Sequence, residues 1–279
     1  MEFFKQNTKI NFMRVRKVAY TFSLVLFLIS LISLGVRGLN FGLDFTGGTQ
    51  LTLTFPTPIN LADVRHDLIQ QGYTESSVQT FGSDRTILVT VPVKKQGDSQ
   101  TVIAQKVLQA MPTAHMDEIS FIGAQVGSEL AYKGILAVIV ALLGTMIYIA
   151  FRFEYRLALS AALALIHDPI LILGIFSLFG ITFDLTALAA VLTVLGYSLN
   201  DTIVVFDRIR ENFRKMRQGS PFEVVNAAIN QTLSRTIMTS GLTLVVVCAL
   251  FFFGGPSIHG FSLALIIGIV VGTYSSYLS

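Results

Sequence analysis

Charge is scarce in this sequence: Asp, Glu, Lys and Arg make up only 13% of its 279 residues, against 52% hydrophobic ones. A soluble domain of that balance would face water with far too much apolar surface, so a membrane is the expected surrounding. Length alone would suit two soluble domains, but the hydropathy overrides that reading. Cys248 is the single cysteine, which excludes an intrachain disulfide and a cysteine-built metal cluster. Set in an apolar run, it reads as a small buried hydrophobe. The four histidines show no HExxH-like ligand spacing. No Gly-Lys-Ser/Thr ending follows any glycine-rich stretch, so ATP hydrolysis by a P-loop is not expected. No nucleophile–base constellation stands out either, and the chain does not read as an enzyme. Its formal net charge of +3 is small and points to no nucleic-acid partner.

Long apolar runs are what the sequence has in abundance. A helix needs about 20 mostly apolar residues to cross the hydrocarbon core. Runs of that kind fall at Val18–Val36, Lys133–Phe151, Leu157–Phe179, Phe183–Phe206, Ile237–Phe253 and Phe261–Leu278. The first is too long for a cleavable signal peptide and no A-x-A-like site follows it. The last stops at Ser279 without a basic flank, and a further C-terminal tail is expected. Orientation follows from lysine and arginine. Lys5, Lys9, Arg14, Arg16 and Lys17 precede the first span, Arg152 and Arg156 lie between the second and third, and Arg208, Arg210, Arg214, Lys215 and Arg217 follow the fourth. The connections at Gly180–Thr182 and Gly254–Gly260 have neither residue. Both termini are therefore expected in the cytoplasm, and the long segment between the first two spans outside. The segment 207–232 is amphipathic and basic. It reads as an interfacial helix pair at the anionic lipid of the cytoplasmic leaflet or as a docking surface for a partner.

The expected division is 1–37 for the N-terminus and first span, 38–130 for an extracytoplasmic domain, and 131–279 for the remaining five spans. In the outer segment Gln50–Phe55 alternates as a strand. Asn60 can cap a helix through Val64, Leu68 and Ile69 that Gly72 ends. Ser77–Phe81 and Thr86–Val93 read as strands joined by Gly82-Ser83-Asp84-Arg85. A second helix, capped by Asp98 or Ser99, runs through Val102, Ile103, Val107 and Leu108 to Pro112, and His115–Ile122 closes the set. The order β-α-β-β-α-β is the ferredoxin-like split βαβ arrangement. The fold class expected is thus a polytopic α-helical membrane protein with six transmembrane helices and an α+β ferredoxin-like extracytoplasmic domain between helices one and two.

Polar residues inside the spans carry the functional signal, because a charge at the bilayer centre costs about 2.5–3.5 kcal/mol on insertion scales. His167-Asp168-Pro169 lies near the middle of the third span. Pro169 deprives the Leu165 carbonyl of its helical partner, which predicts a kink. Asp168 then either faces a polar crevice or is a buried structural carboxyl. Asn200-Asp201 follows Gly196-Tyr197-Ser198 in the fourth span. Gly196 and Ser198 allow close helix approach, and Tyr197, one turn back, can hydrogen-bond Asp201. Asp201 reads as a proton-exchanging carboxyl or as polar glue between helices. Arg235, at the start of the fifth span among Thr232, Ser234, Thr236, Thr239 and Ser240, reads from composition as an interfacial arginine that snorkels to the cytoplasmic side.

Several stretches resemble one family in order along the chain. Phe41-Gly-Leu-Asp-Phe-Thr-Gly-Gly48, with Gly42, Asp44, Gly47 and Gly48, is similar to the motif that opens the first outer domain of the SecD/SecF family of protein-export membrane proteins. Gly196-Tyr-Ser-Leu-Asn-Asp-Thr-Ile-Val-Val-Phe-Asp-Arg-Ile-Arg-Glu-Asn212, with Asp207 and Arg208, resembles its fourth-helix signature. Leu233–Gly241, Phe253–Pro256 and Phe261–Ser276 resemble its later segments, while Ser276–Ser279 departs from them. The resemblance implies pairing with SecD in a pseudo-symmetric bundle of the resistance–nodulation–division type, beside the SecYEG channel and after the SecA ATPase has started export of a preprotein. It implies no cofactor, a proton gradient as the energy source, and proton-coupling roles for Asp201, Arg235, Asp168 and Asn200. Two other readings stand beside it: a proton-driven small-molecule exporter, and a structural assembly subunit without a proton role.

Overall fold

The computed structural model describes residues 10–74, 76–92, 100–216 and 220–278. Lys5, Lys9, Val93, Asp98, Ser99, Arg217 and Ser279, used in the sequence reading, lie outside the described residues. In chain order the elements are α1 (Phe12–Val36), the two-residue β1 (Asn40–Phe41), the short α2 (Leu43–Thr46), β2 (Gly48–Thr54), α3 (Leu61–Gln70), β3 (Ser77–Phe81), β4 (Ser83–Val91) and α4 (Gln100–Ala110). Then follow β5 (His115–Ile122), α5 (Ala124–Arg152), α6 (Tyr155–Phe179), the two-residue β6 (Thr182–Phe183), α7 (Leu185–Lys215), α8 (Pro221–Phe253) and α9 (His259–Leu278). The chain forms two compact units, one of residues 41–136 and one from the segments on either side.

In the first unit β2, β3, β4 and β5 make a sheet of order β3-β4-β2-β5 with every described pairing antiparallel. With α3 after the first of these strands and α4 after the third, this is the order a split βαβ chain produces. Alternation along β2 sends Leu51 and Leu53 inward, against Ile87, Val89 and Val91 of β4. Val64 and Leu68 of α3 and Ile103 and Val107 of α4 complete the core. Each fully buried branched side chain contributes about 1.5–3 kcal/mol by leaving water. Asn60 caps α3, its side chain accepting from the Ala62 N–H at 3.0 Å. The hairpin is tighter than the sequence suggested. Ser83 already pairs with Phe81 across a register shift, so Gly82, at φ +75°, makes the turn that four residues were expected to share.

The glycine pair before β2 has a steric cause. Gly47 and Gly48 lie at φ +65° and +135°, where side chains with a Cβ are strained. A Cβ on Gly48 would stand 2.4 Å from the Val91 carbonyl oxygen, and one on Gly47 would stand 2.9 Å from Ala124 Cα. The chain can enter β2 between those two backbones only without side chains.

Among the described residues six helices are long and apolar enough to cross a membrane: α1, α5, α6, α7, α8 and α9. In the second unit α6, α7 and α9 are the buried ones and α1, α5 and α8 the outer ones. α7 packs on α6, α8 and α9, while α1 lies along α6. Missing side chains set the closest approaches, since small residues let helix backbones meet where hydrophobic driving force is weak. A Cβ on Gly174 would stand 2.1 Å from Ser30 Cβ, and one on Gly268 2.2 Å from Val194 Cγ2. At the start of α1, Asn226 and Asn230 of α8 clamp the incoming chain. Asn230 accepts from Ile10 N–H at 2.9 Å and donates to its carbonyl at 2.8 Å, and Asn226 accepts from Phe12 N–H at 2.8 Å.

Two expectations change. The described residues of the basic segment 207–232 form no separate helices: they prolong α7 to Lys215 and begin α8 at Pro221. Ser220 and Glu223 close a reciprocal capping box there, with Pro221 in the first turn. α6 runs through Pro169 as one helix, and Asp168 beside it faces no open crevice, being 1% exposed.

Gly48→Ala should destabilise the chain by about 2 kcal/mol or more, because both its φ and the Val91 carbonyl oppose a methyl group. Thermal unfolding of the purified full chain checks this, with Gly123→Ala, where nothing lies within 4 Å, as the control that should barely shift.

Candidate functional site

Among the described residues two carboxyls are buried in the helical unit, and one stretch of α7 serves both. Asp201 is 3% exposed and Asp168 1%. Ser198, one turn before Asp201 on α7, donates to Asp168 Oδ2 at 2.5 Å. Ser275 of α9 donates to the same oxygen at 3.0 Å. On the other side His167 Nδ1 lies 3.0 Å from Asp168 Oδ1, while its Nε2 lies 2.7 Å from the Ser23 hydroxyl of α1. The His167 ring also stacks on Phe27. Asp168 thereby ties α6 to α7 and α9 directly and to α1 through His167.

Asp201 is held more loosely. Its one protein donor at hydrogen-bond distance among the described residues is Ser240 of α8, at 3.4 Å from Oδ2. Ser240 in turn accepts from Tyr197 at 3.2 Å and from Thr273 of α9 at 2.8 Å. A hydroxyl has one proton to give and two lone pairs to offer, so these three bonds use Ser240 fully and direct its proton to Asp201. Tyr197 thus reaches Asp201 through Ser240 rather than by the direct bond its spacing suggested. Thr236 and Tyr277 also face this region with buried hydroxyls, and Thr236 lies near enough to act on both Asp201 and Tyr277. α9 connects the two carboxyls: Ser275 bonds Asp168, and the adjacent Ser276 lies 3.3 Å from Thr202, next to Asp201.

Arg235 is exposed. Its charge attracts Asp201, yet the two form no ion pair among the described residues. Asn200 is exposed too, on the α7 stripe of Thr193, Gly196 and Asn200, and bonds neither carboxyl. Asp207 pairs with Arg152 at 2.7 Å and Arg208 with Glu211 at 2.6 Å, at the far end of α7. Gly42, Asp44, Gly47 and Gly48 belong to the sheet-containing unit, where Gly42 opens α2 and Asp44 sits in its first turn. The candidate residues therefore divide into a carboxyl pair with its hydroxyls, a charged helix end, and a structural turn.

Sequence reasoning passed over the residues that assemble the pair. Gly268 and Gly272 form a G-x-x-x-G on the α9 face that meets Val194 and Ser198, the usual signature of close helix contact in an apolar segment. A Cβ on Gly272 would stand 3.0 Å from Ser198 Cβ and 3.5 Å from Asp168 Oδ2. Ser275 and Ser276, two hydroxyls in an apolar helix, were the other available signal.

Comparison with known proteins gives consistent matches. The family described as "Protein export membrane protein SecD/SecF, C-terminal" matches residues 102–279, and "SecD/SecF GG Motif" matches residues 32–58. The chain is 49% identical to the protein translocase subunit SecF of Vibrio alginolyticus, over 98% of this chain and 88% of that one. It is 47% identical to the same subunit of Pseudomonas aeruginosa, over 96% and 88%. The solved SecDF of Thermus thermophilus, titled a translocon-associated membrane protein, superposes with a TM-score of 0.88 at 36% identity. That match covers 98% of this chain, which spans 38% of the solved one.

Gly268→Val should cost about 1–3 kcal/mol by forcing α7 and α9 apart. The unfolding midpoint in detergent should fall accordingly, while Gly241→Ala, with nothing within 4 Å of its Cβ, should leave it unchanged.

Proposed function

The chain belongs to the SecD/SecF family of protein-export membrane proteins, and from that premise we propose that it is a SecF-type subunit that couples a proton gradient to preprotein export in partnership with SecD. The observation that carries this reading is Asp201: a buried carboxyl on a membrane-spanning helix, held by one long bond at the end of a hydroxyl relay. A carboxyl with few donors changes its protonation state without dismantling a network. Ser240 directs its only proton to Oδ2, so a proton taken up by Asp201 need not break that bond. Protonation removes the attraction between Asp201 and Arg235 and frees α7 and α8 to shift. One elementary charge moved across the membrane releases about 2.3 kcal/mol per 100 mV, enough to bias a modest repacking.

Pairing with SecD is supported by what α7 and α8 leave uncovered. Thr193, Gly196 and Asn200 on α7, and Arg235 and Thr239 on α8, are exposed. Small and polar groups within spanning helices ordinarily face other helices or a polar cavity. A second helical subunit over this face would cover them and enclose Asp201. Asn200 and Arg235 would then line the shared interface, and Asp168 would hold the helices in register. In this reading the protein is a multi-pass protein of the bacterial cytoplasmic membrane, with both termini inside and the sheet-containing unit outside. It acts beside SecYEG on preproteins that SecA has started.

Asp201→Asn keeps size and removes the exchangeable proton. In cells that depend on this protein, the gradient-dependent part of export should fall to background, with membrane level and SecD association unchanged. Undiminished gradient-dependent export would reject the coupling role and leave a structural subunit; drug efflux by the purified chain would favour a small-molecule exporter. Topology has its own check in a Cys248→Ala background. Asp84→Cys should react with an impermeant maleimide in intact spheroplasts, and Arg14→Cys only after lysis.

A further inference from the structure

The inner end of α7 carries a charge pattern that the coupling site does not use. Arg152, Asp207, Arg210, Glu211, Arg214 and Lys215 line an open cavity of about 350 Å³ between the end of α5 and the last turns of α7. Four cations face two carboxylates there, and both carboxylates are already engaged. Asp207 is paired with Arg152 at 2.7 Å, and Glu211 with both Arg208 and Lys215. Arg210 and Arg214 enter no ion pair among the described residues, and the Arg210 Nε is buried without a hydrogen-bond partner. The two arginines are also four apart on one helix, so their charges are neighbours that repel. A desolvated guanidinium donor and a neighbouring like charge are both unfavourable unless an anion sits between them.

We propose that this cavity is a binding site for a phosphate group, and that the group is the headgroup phosphate of an anionic phospholipid in the cytoplasmic leaflet. Guanidinium groups match phosphate oxygens with paired N–H donors, and basic pockets between spanning helices on the cytoplasmic side suit such headgroups. The surroundings favour lipid over a soluble phosphate. Phe151 and Tyr155, on either side of Arg152 in the chain, are 90% and 75% exposed, and Phe213 beside Arg214 is exposed as well. Tyrosine rings such as that of Tyr155 settle at the membrane–water border, and the two phenylalanines offer an apolar rim for acyl chains next to the charged cavity. The site lies on the helix that carries Asp201, yet the inference is independent of proton coupling.

The test places the purified full chain in nanodiscs of phosphatidylcholine doped with spin-labelled phosphatidylglycerol, and reads the motionally restricted lipid. Wild type should hold phosphatidylglycerol in preference to spin-labelled phosphatidylcholine. Arg210→Gln with Arg214→Gln should weaken that preference about tenfold, as loss of charge-assisted phosphate bonds predicts. Arg214→Gln alone, at an exposed position, should give a partial loss and serves if the double variant does not fold. Lys17→Gln, a cation on α1, should leave the preference intact. An unchanged preference in the arginine variants overturns the site. Equal loss in Lys17→Gln overturns it too, since only diffuse charge would then be at work. Displacement of the lipid by inorganic phosphate at equal concentration would make a soluble phosphate the occupant and overturn the lipid assignment.

Discussion

Everything in the helical unit depends on how closely α7 and α9 can approach. A carboxyl inside a membrane must be surrounded by donors, because nothing else there replaces water. Ser198, Ser240 and Ser275 have short side chains, so they bond Asp168 and Asp201 only when their backbones come close. Gly268 and Gly272 provide that approach by presenting no side chain to Val194 and Ser198. The polar network is therefore a consequence of a steric one. Without the glycines the hydroxyls would stand too far away, and two buried carboxyls would be left without partners.

The same network divides the labour between the carboxyls. Asp168 has two hydroxyl donors on Oδ2 and an imidazole at Oδ1, drawn from or linked to three neighbouring helices. Moving it would break several short bonds together, which makes it an anchor. Asp201 has a single bond of 3.4 Å, and its donor Ser240 is itself held by Tyr197 and Thr273. A group held this way can change charge while the surroundings stay assembled. Structural carboxyls are those a network cannot release, and by that measure Asp201 is the one suited to work.

The fold was legible where the physics is local. Apolar length located the six spans found among the described residues, the Asn60 cap located the start of α3, and the four strands of the larger sheet were legible while the two-residue β1 and β6 were not. Ends were harder. The sequence stops reading as membrane at Phe206, but α7 continues to Lys215 because a charged amphipathic stretch prolongs a helix as readily as it starts one. Asp201 and Asp168 stood out because carboxyls are rare in such runs. Their partners did not: a serine in an apolar helix reads as filler until the helix opposite it is known. Tyr197 shows the limit clearly, since its spacing allowed contact with Asp201 but tertiary packing gave it to Ser240.

The exposed groups on α7 and α8 carry a last consequence. Arg235 and Asp201 attract each other without touching, and Arg235 is exposed while Asp201 is buried. In an open, high-dielectric setting a charge pair at a distance is weak, and excluding water strengthens the same pair several-fold. A partner helix laid over Thr193, Gly196 and Asn200 would make that change without moving either residue. The strength of the Asp201–Arg235 attraction, and with it the cost of each protonation state, would then be set by the partner's presence. On the proposed reading the chain supplies the titrating group, and its surroundings would become those of a coupling site once a second subunit closed the face.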